Sequence, residues 1–204
     1  MLRSGVGSEP QAVAAGTRQS RIREPFAAGY FQYFGEAAGT GHYSFQAGDW
    51  LVLMLNSNVP AGPGSAQYEF VRSQLAANRG QCAMAVWHHP LYSSGPNGPS
   101  LFMRDLWNLL QQGGVDVIVA AHDHFYERFG KQDGDGRSDA QGMRQFIVGT
   151  GGARLYNFLR MSANSQVRIS AHGVLRVTLN RSNYDWAFID VTGAVADTGA
   201  DSCH

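Results

Sequence analysis

Two short segments concentrate the residues able to do chemistry. Val86-Trp87-His88-His89-Pro90 and Ala120-Ala121-His122-Asp123-His124 hold four of the chain's seven histidines. Neutral imidazole is the commonest metal-ligating side chain, and it carries a free lone pair near neutral pH. Each segment closes an apolar run of strand length, Cys82–Trp87 and Val115–Ala121. Open α/β sheets bind ligands at the carboxyl ends of their strands, where loops and helix N-termini converge. His88, His122 and His124 are therefore expected to approach one point and hold a metal. In extended chain His122 and His124 would project to one side, with Asp123 on the other. Histidines hydrogen-bonded at loop starts are the competing reading, and the grouping at two strand ends favours the metal. His89, beside Pro90, reads as a packed residue rather than a ligand.

Other candidates are weaker. Gly149-Thr150-Gly151-Gly152 could cradle a phosphate with backbone N–H groups, but it lacks a Walker lysine and reads as a turn after a strand. Asp133-Gly134-Asp135-Gly136 lacks the downstream Glu of a calcium loop and reads as a solvated turn. Ser93 and Ser94 have no Gly-x-Ser-x-Gly elbow around them.

The elements that must position the histidines follow from apolar spacing. Trp50–Leu55, Cys82–Trp87 and Val115–Ala121 are unbroken apolar runs, the pattern of strands buried on both faces. Between them lie two helical stretches. Ser65 is placed to cap one that carries Tyr68, Val71 and Leu75 and closes at Gly80. Ser100 is placed to cap the other, with Phe102, Leu106, Leu109 and Leu110 at helical spacing before Gly113-Gly114. Strand, helix, strand, helix, strand implies a parallel α/β sheet. Further on, Gln145–Thr150 reads as a strand. Leu175, Val177 and Leu179 alternate with polar residues, then Asn180–Asn183 turns the chain into Tyr184, Trp186 and Phe188, a hairpin with one buried face. A second sheet is expected.

Sixteen basic residues balance sixteen acidic ones, which argues against a nucleic-acid arm or a polybasic membrane anchor. No apolar stretch is long enough to cross a bilayer, and Met1–Gly5 does not open a secretory signal. Cys82 and Cys203 admit two readings: buried thiols, or one disulfide closing a long loop and tying down the chain end in an oxidising compartment.

His122-Asp123-His124-Phe125-Tyr126-Glu127-Arg128 resembles the Gly-His-x-His-x-Tyr-Glu-Arg signature of the calcineurin-like metallophosphoesterases, in particular the purple-acid-phosphatase-like branch, with Ala121 where the family usually has Gly. His88-His89-Pro90 with Leu91-Tyr92-Ser93 resembles the family's preceding His motif. Gly29-Tyr30-Phe31, Tyr43-Ser44-Phe45, Leu55-Asn56-Ser57, Val148–Gly152 and Cys203-His204 are also similar to that branch. The resemblance runs from about residue 27 to the end. It implies a mixed-sheet α/β sandwich and hydrolysis of a phosphate ester small molecule at two divalent cations (Zn, Fe or Mn), through a metal-bound hydroxide. His88 and His122 would bind one metal and His124 the other. Tyr126, Glu127 and Arg128 would fix the loop.

The family's Asp-x-His motif, bridging Asp and Gly-Asn-His motif are not found. No Asp precedes Asp49 and no Asn precedes Asn56. Asp49 and Asp116 stand at the starts of their strands, the wrong end of the sheet. The loop Ser93–Gly98 carries Asn97 where similar proteins often have a His. Three imidazoles without a bridging carboxylate suit one cation better than two. The expectation is therefore the C-terminal half of such a domain over 27–204, behind a lead-in at 1–26, from a truncated or frame-shifted gene. Turnover would be impaired, and the half-domain would bind metal and need a partner half, or self-associate through an unpaired sheet edge. The branch suggests a secreted or periplasmic protein.

Overall fold

Parallel strand pairing organises the molecule around the two His segments. The computed structural model describes residues 27–35 and 39–204, and the lead-in expected for 1–26 lies outside the described residues. A short helix α1 (Ala28–Phe34) precedes the hairpin β1 (Tyr43–Ala47) and β2 (Trp50–Met54), turned by Gly48 at φ 62°. Then α2 (Ala66–Ala77), β3 (Ala83–Val86), α3 (Arg104–Gln112) and β4 (Val117–Ala120) alternate as the apolar pattern predicts.

The helix signals held for α2 and failed in part for α3. Ser65 accepts a hydrogen bond from the Tyr68 N–H at 3.2 Å, and Val71 and Leu75 are buried. The helix ends short of Gly80, at Asn78, whose side chain donates to the Gln74 carbonyl at 2.8 Å. Ser100 makes no side-chain capping bond. It leads into a 3₁₀ turn, Leu101–Met103, and α3 begins only at Arg104. Phe102 is consequently 56% exposed, while Leu106, Trp107 and Leu110 are buried.

The chain continues as β5 (Tyr126–Gln132), β6 (Met143–Val148), β7 (Ser165–Ile169), β8 (Gly173–Leu179), β9 (Asn183–Asp190) and β10 (Val195–Ser202). A seven-stranded sheet runs β1-β2-β3-β4-β6-β5-β7, and a second sheet runs β10-β9-β8. The pairs β2–β3, β3–β4 and β4–β6 are parallel, and the outer pairs are antiparallel. Tyr126-Glu127-Arg128 therefore open a strand rather than a loop, because β6 and β7 supply backbone partners on both sides.

The unbroken apolar runs arise because the large sheet is covered twice. Ala83, Ala85 and Ile118 pack with Val71, Leu106 and Leu110 of the helices. The alternate residues Met84, Val86, Val117 and Val119 pack with Tyr184, Trp186 and Phe188 of the second sheet. Each fully buried Val, Ile, Met or Phe contributes about 1.5–3 kcal/mol relative to exposure.

Two carboxylates of β10 join the sheets, and Asp201 pairs with Arg144 at 2.9 Å and Lys131 at 3.5 Å. Asp197 on β10 accepts from Tyr126 Oη at 2.6 Å, Arg128 Nε at 2.7 Å and Trp186 Nε1 at 3.1 Å. Arg128 and Arg144 lie 5.1 and 4.9 Å from the centroid of the Trp186 ring. At the chain end a Cys82–Cys203 disulfide forms, with a Cα–Cα distance of 5.5 Å, and it settles the two readings of the cysteines. Beside it the His204 ring contacts the buried Asp116 at 2.9 Å.

Burial works to raise the Asp197 pKa, but the bonds from Arg128, Tyr126 and Trp186 outweigh it and hold the carboxyl below its usual 3.8. A lowered carboxylate pKa stabilises the fold above the unfolded value and loses that contribution as pH falls through the folded one. Asp197→Asn is expected to cost about 3 kcal/mol in urea unfolding at pH 7, since Arg128 is left largely buried without its charge partner. The difference from the parent should shrink below about pH 3.8. A loss under about 1 kcal/mol at pH 7 would remove the inter-sheet role.

Candidate metal centre

The β3–β4 register builds the site. Val86 pairs with Val119, and the ladder runs on through Trp87 N–H to the Val119 carbonyl at 3.1 Å and Ala121 N–H to the His88 carbonyl at 3.0 Å. His88 and His122 thus leave adjacent strand ends together, with His88 Nε2 and His122 Nδ1 3.1 Å apart. His89 joins them: its ring centroid is 4.9 Å from that of His88 and 4.3 Å from that of His122. One ring nitrogen from each of His88, His89 and His122 lies within 4.8 Å of the others. Sequence reasoning set His89 aside as packing. The Ser57 hydroxyl, 32 residues away in sequence, holds both the His89 N–H at 3.0 Å and Nδ1 at 2.8 Å, leaving Nε2 as the remaining ring nitrogen.

The chain is not extended from His122 to His124, contrary to the expectation. Asp123 N–H donates to the Ala121 carbonyl at 2.7 Å, and Phe125 N–H to the Asp123 carbonyl at 3.0 Å. These are two successive three-residue turns, and His122 has φ 60°, a strained left-handed position of the sort concentrated at functional sites. His124 therefore stands beside the three-imidazole group and outside it. Its Nδ1 must donate to the Arg154 carbonyl at 2.8 Å, because a carbonyl can only accept. Its Nε2 is the remaining ring nitrogen, and its ring stacks on Tyr156 at 4.2 Å. A proton fixed on one nitrogen by a backbone carbonyl is how metal-ligating histidines are commonly oriented.

The acidic residues are turned elsewhere. Asp123 is fully buried, accepts from the Ser93 hydroxyl, and takes Asn97 N–H at 3.2 Å and Asn97 Nδ2 at 2.9 Å. Asn97 thus ties its loop to the His segment. Glu127 is buried against the Ser94 and Ser165 hydroxyls and the Ser94 N–H. Burial raises its pKa, and the three hydrogen bonds only partly oppose it. Among the described residues no carboxylate joins the imidazole group. Asp116 lies at the far end of β4, bonded to the Ala83 N–H at 2.9 Å.

The donor set fits a divalent cation. One ring nitrogen from each of three imidazoles faces the same point, with His88 using Nε2 and His122 Nδ1. Two nitrogens 3.1 Å apart can each lie about 2.0–2.1 Å from one Zn²⁺. Burial, then the charges of His122, His89 and His124, push the His88 pKa down to about 4. Burial also lowers His89 and His122. The cluster is neutral at pH 7 and offers lone pairs rather than positive charge.

A family model for calcineurin-like phosphoesterases matches residues 17–126. The chain belongs to that family. The chain is 32% identical over 158 residues to purple acid phosphatase 21 of Arabidopsis thaliana, covering 71% of this chain and 36% of the relative. It is 29% identical over 119 residues to purple acid phosphatase 18 of the same plant, covering 55% and 27%. The chain thus spans about a third of the length of these curated relatives. The purple acid phosphatase PPD1 of yellow lupin seeds superposes with a TM-score of 0.73 at 24% identity, over 79% of this chain and 32% of that one. GAP50, the anchor in the inner membrane complex of Plasmodium, superposes at 0.60 with 20% identity, over 80% and 54%. The fold is the mixed α/β sandwich that the motifs imply.

Two outcomes follow for the loop. By imidazole NMR, His88 should titrate near pH 4 and stay neutral at pH 6 in metal-free protein; a midpoint near 6.5 would contradict the packing. A Cβ on Gly149 would lie 2.1 Å from the Asp123 carbonyl oxygen and 3.0 Å from His124 Cα. Gly149→Ala should therefore cost about 1–3 kcal/mol and disturb the His122–His124 turns, seen as shifted ring resonances for both.

Proposed function

We propose that this chain hydrolyses a small phosphate ester with the help of a divalent cation held by His88 and His122. Whichever of His89 Nε2 and His124 Nε2 turns inward would complete the set. The observation that carries this is the His88 Nε2–His122 Nδ1 pair at 3.1 Å, with a His89 ring nitrogen within 4.8 Å of both residues' ligand atoms. A cation there supplies positive charge for phosphate oxygens and lowers the pKa of a nearby water. Ser57 orients His89, and the Arg154 carbonyl keeps the His124 proton on Nδ1. Asp123, with Ser93 and Asn97, holds the turn that carries both histidines.

Turnover by these residues alone is weak on this reading, because a second cation needs a bridging carboxylate against charge repulsion. Asp123 and Glu127 are committed to serines and asparagine. That same commitment favours a second reading, a metal-binding half-domain that turns over only with a complementary half. β1 and β7 are the end strands of the large sheet among the described residues, and a free edge at β1 supports pairing with such a half or with another copy. The Cys82–Cys203 disulfide supports an oxidising, exported setting.

Elemental analysis of purified protein, alongside hydrolysis of a chromogenic phosphate ester, tests this. About one cation per chain is expected, with slow turnover that a chelator abolishes. His122→Ala should weaken the metal by more than the 10–100-fold that loss of a merely supporting residue costs. Metal bound without turnover selects the half-domain reading. Undiminished hydrolysis after complete metal removal would overturn both.

A further inference from the structure

A second group of metal-ligating side chains lies at the opposite end of the same strands. Cys82 precedes β3 and Asp116 precedes β4, while the histidines follow those strands. Cys82 and His88 are six steps apart along nearly extended chain, roughly 20 Å. The C-terminal tail brings Cys203 and His204 to this end. One ligand atom from each of Cys82, Asp116 and Cys203 lies within 4.8 Å of the others. His204 Nδ1 is 2.9 Å from Asp116 Oδ1, with the two side chains 14% and 1% exposed. Two sulfurs, a carboxylate and an imidazole are the donor types of a four-coordinate zinc site.

In the oxidised protein the sulfurs are bonded to each other and donate to nothing else. We propose that reduction of the Cys82–Cys203 disulfide converts this cluster into a Zn²⁺ site made by both sulfurs, Asp116 and His204. The disulfide takes two electrons and two protons from a dithiol, whose own two thiols become a disulfide. Cys82 and Cys203 are then thiols. Zn²⁺ binding releases both thiol protons to solvent and leaves two thiolates on the metal. The two sulfurs must part to accommodate a metal about 2.3 Å from each. The shift falls on Cys203, which lies past the end of β10, rather than on Cys82, which leads directly into the buried β3. Asp116 is already in place, held by the Ala83 and His204 N–H groups at 2.9 and 2.8 Å. The chain end would thus exchange one cross-link for another as the redox environment changes: a disulfide under oxidising conditions, a metal clip under reducing ones.

Cobalt(II) separates this site from the histidine cluster, because only thiolate ligands give a sulfur-to-cobalt charge-transfer band. Full-length protein reduced with a phosphine is titrated with Co²⁺ and then with Zn²⁺. The expected result is one thiolate-bound Co²⁺ per chain, displaced by Zn²⁺, and no such band in oxidised protein. Zn²⁺ should also raise the melting temperature of reduced protein. Cys203→Ser should lose the band. His204→Ala, which keeps the backbone N–H bond to Asp116, should weaken Co²⁺ by about tenfold or more. A reduced, folded protein without the band overturns the proposal. So does a band of equal affinity in His204→Ala, or unfolding on reduction that Zn²⁺ does not reverse.

Discussion

The parallel pairing of β3 with β4 is the constraint on which the rest depends. Its register, Met84 with Val117 through Val86 with Val119, fixes what stands together at both ends of the pair. At the carboxyl end it delivers His88 and His122 to 3.1 Å. At the amino end it delivers Cys82 and Asp116 to the tail that carries Cys203 and His204. A slip of one residue would send the apolar side chains to the wrong faces and separate both groups at once. Burial on two faces resists that slip. The helices take one set of alternate residues and the second sheet takes the other.

Around this pair, polar groups are used to aim and to neutralise. The imidazoles are held neutral by burial and by one another, so the cluster presents lone pairs. Carboxylates next to them in sequence are drawn off: Asp123 to Ser93 and Asn97, Glu127 to Ser94 and Ser165. Through these bonds they stiffen the turns. The positive φ at His122 is local strain that this network holds in place. Further out, Asp197 clamps the sheets through Tyr126 and Arg128, residues adjacent to the histidine turn. The same short stretch of chain, 122–128, therefore serves the site and the sandwich together.

Local patterns carried much of this. Unbroken apolar runs mark strands covered on both faces, and Ser65 marks a helix start, because each depends on near neighbours. The His-Pro and His-x-His segments marked the site and its end of the sheet. Ser100 misled, because its backbone is taken by Pro90 and Leu91 carbonyls from a distant loop. β5 was missed, since Tyr126–Gln132 is a strand through partners on both flanks rather than through its own alternation. β7 and β10 are short of apolar residues for the same reason.

By itself the sequence determined the class of fold, the branch of phosphoesterase its motifs resemble, and the residue types available to a metal: imidazoles at two strand ends and no early carboxylate to bridge them. The tertiary structure decided which imidazoles meet. It added His89 through Ser57 and turned His124 aside through Arg154. It also closed the disulfide between Cys82 and Cys203, 121 residues apart. Side-chain type and short-range spacing are properties of the chain, whereas contact across tens of residues is fixed only when strands pair and their ends converge.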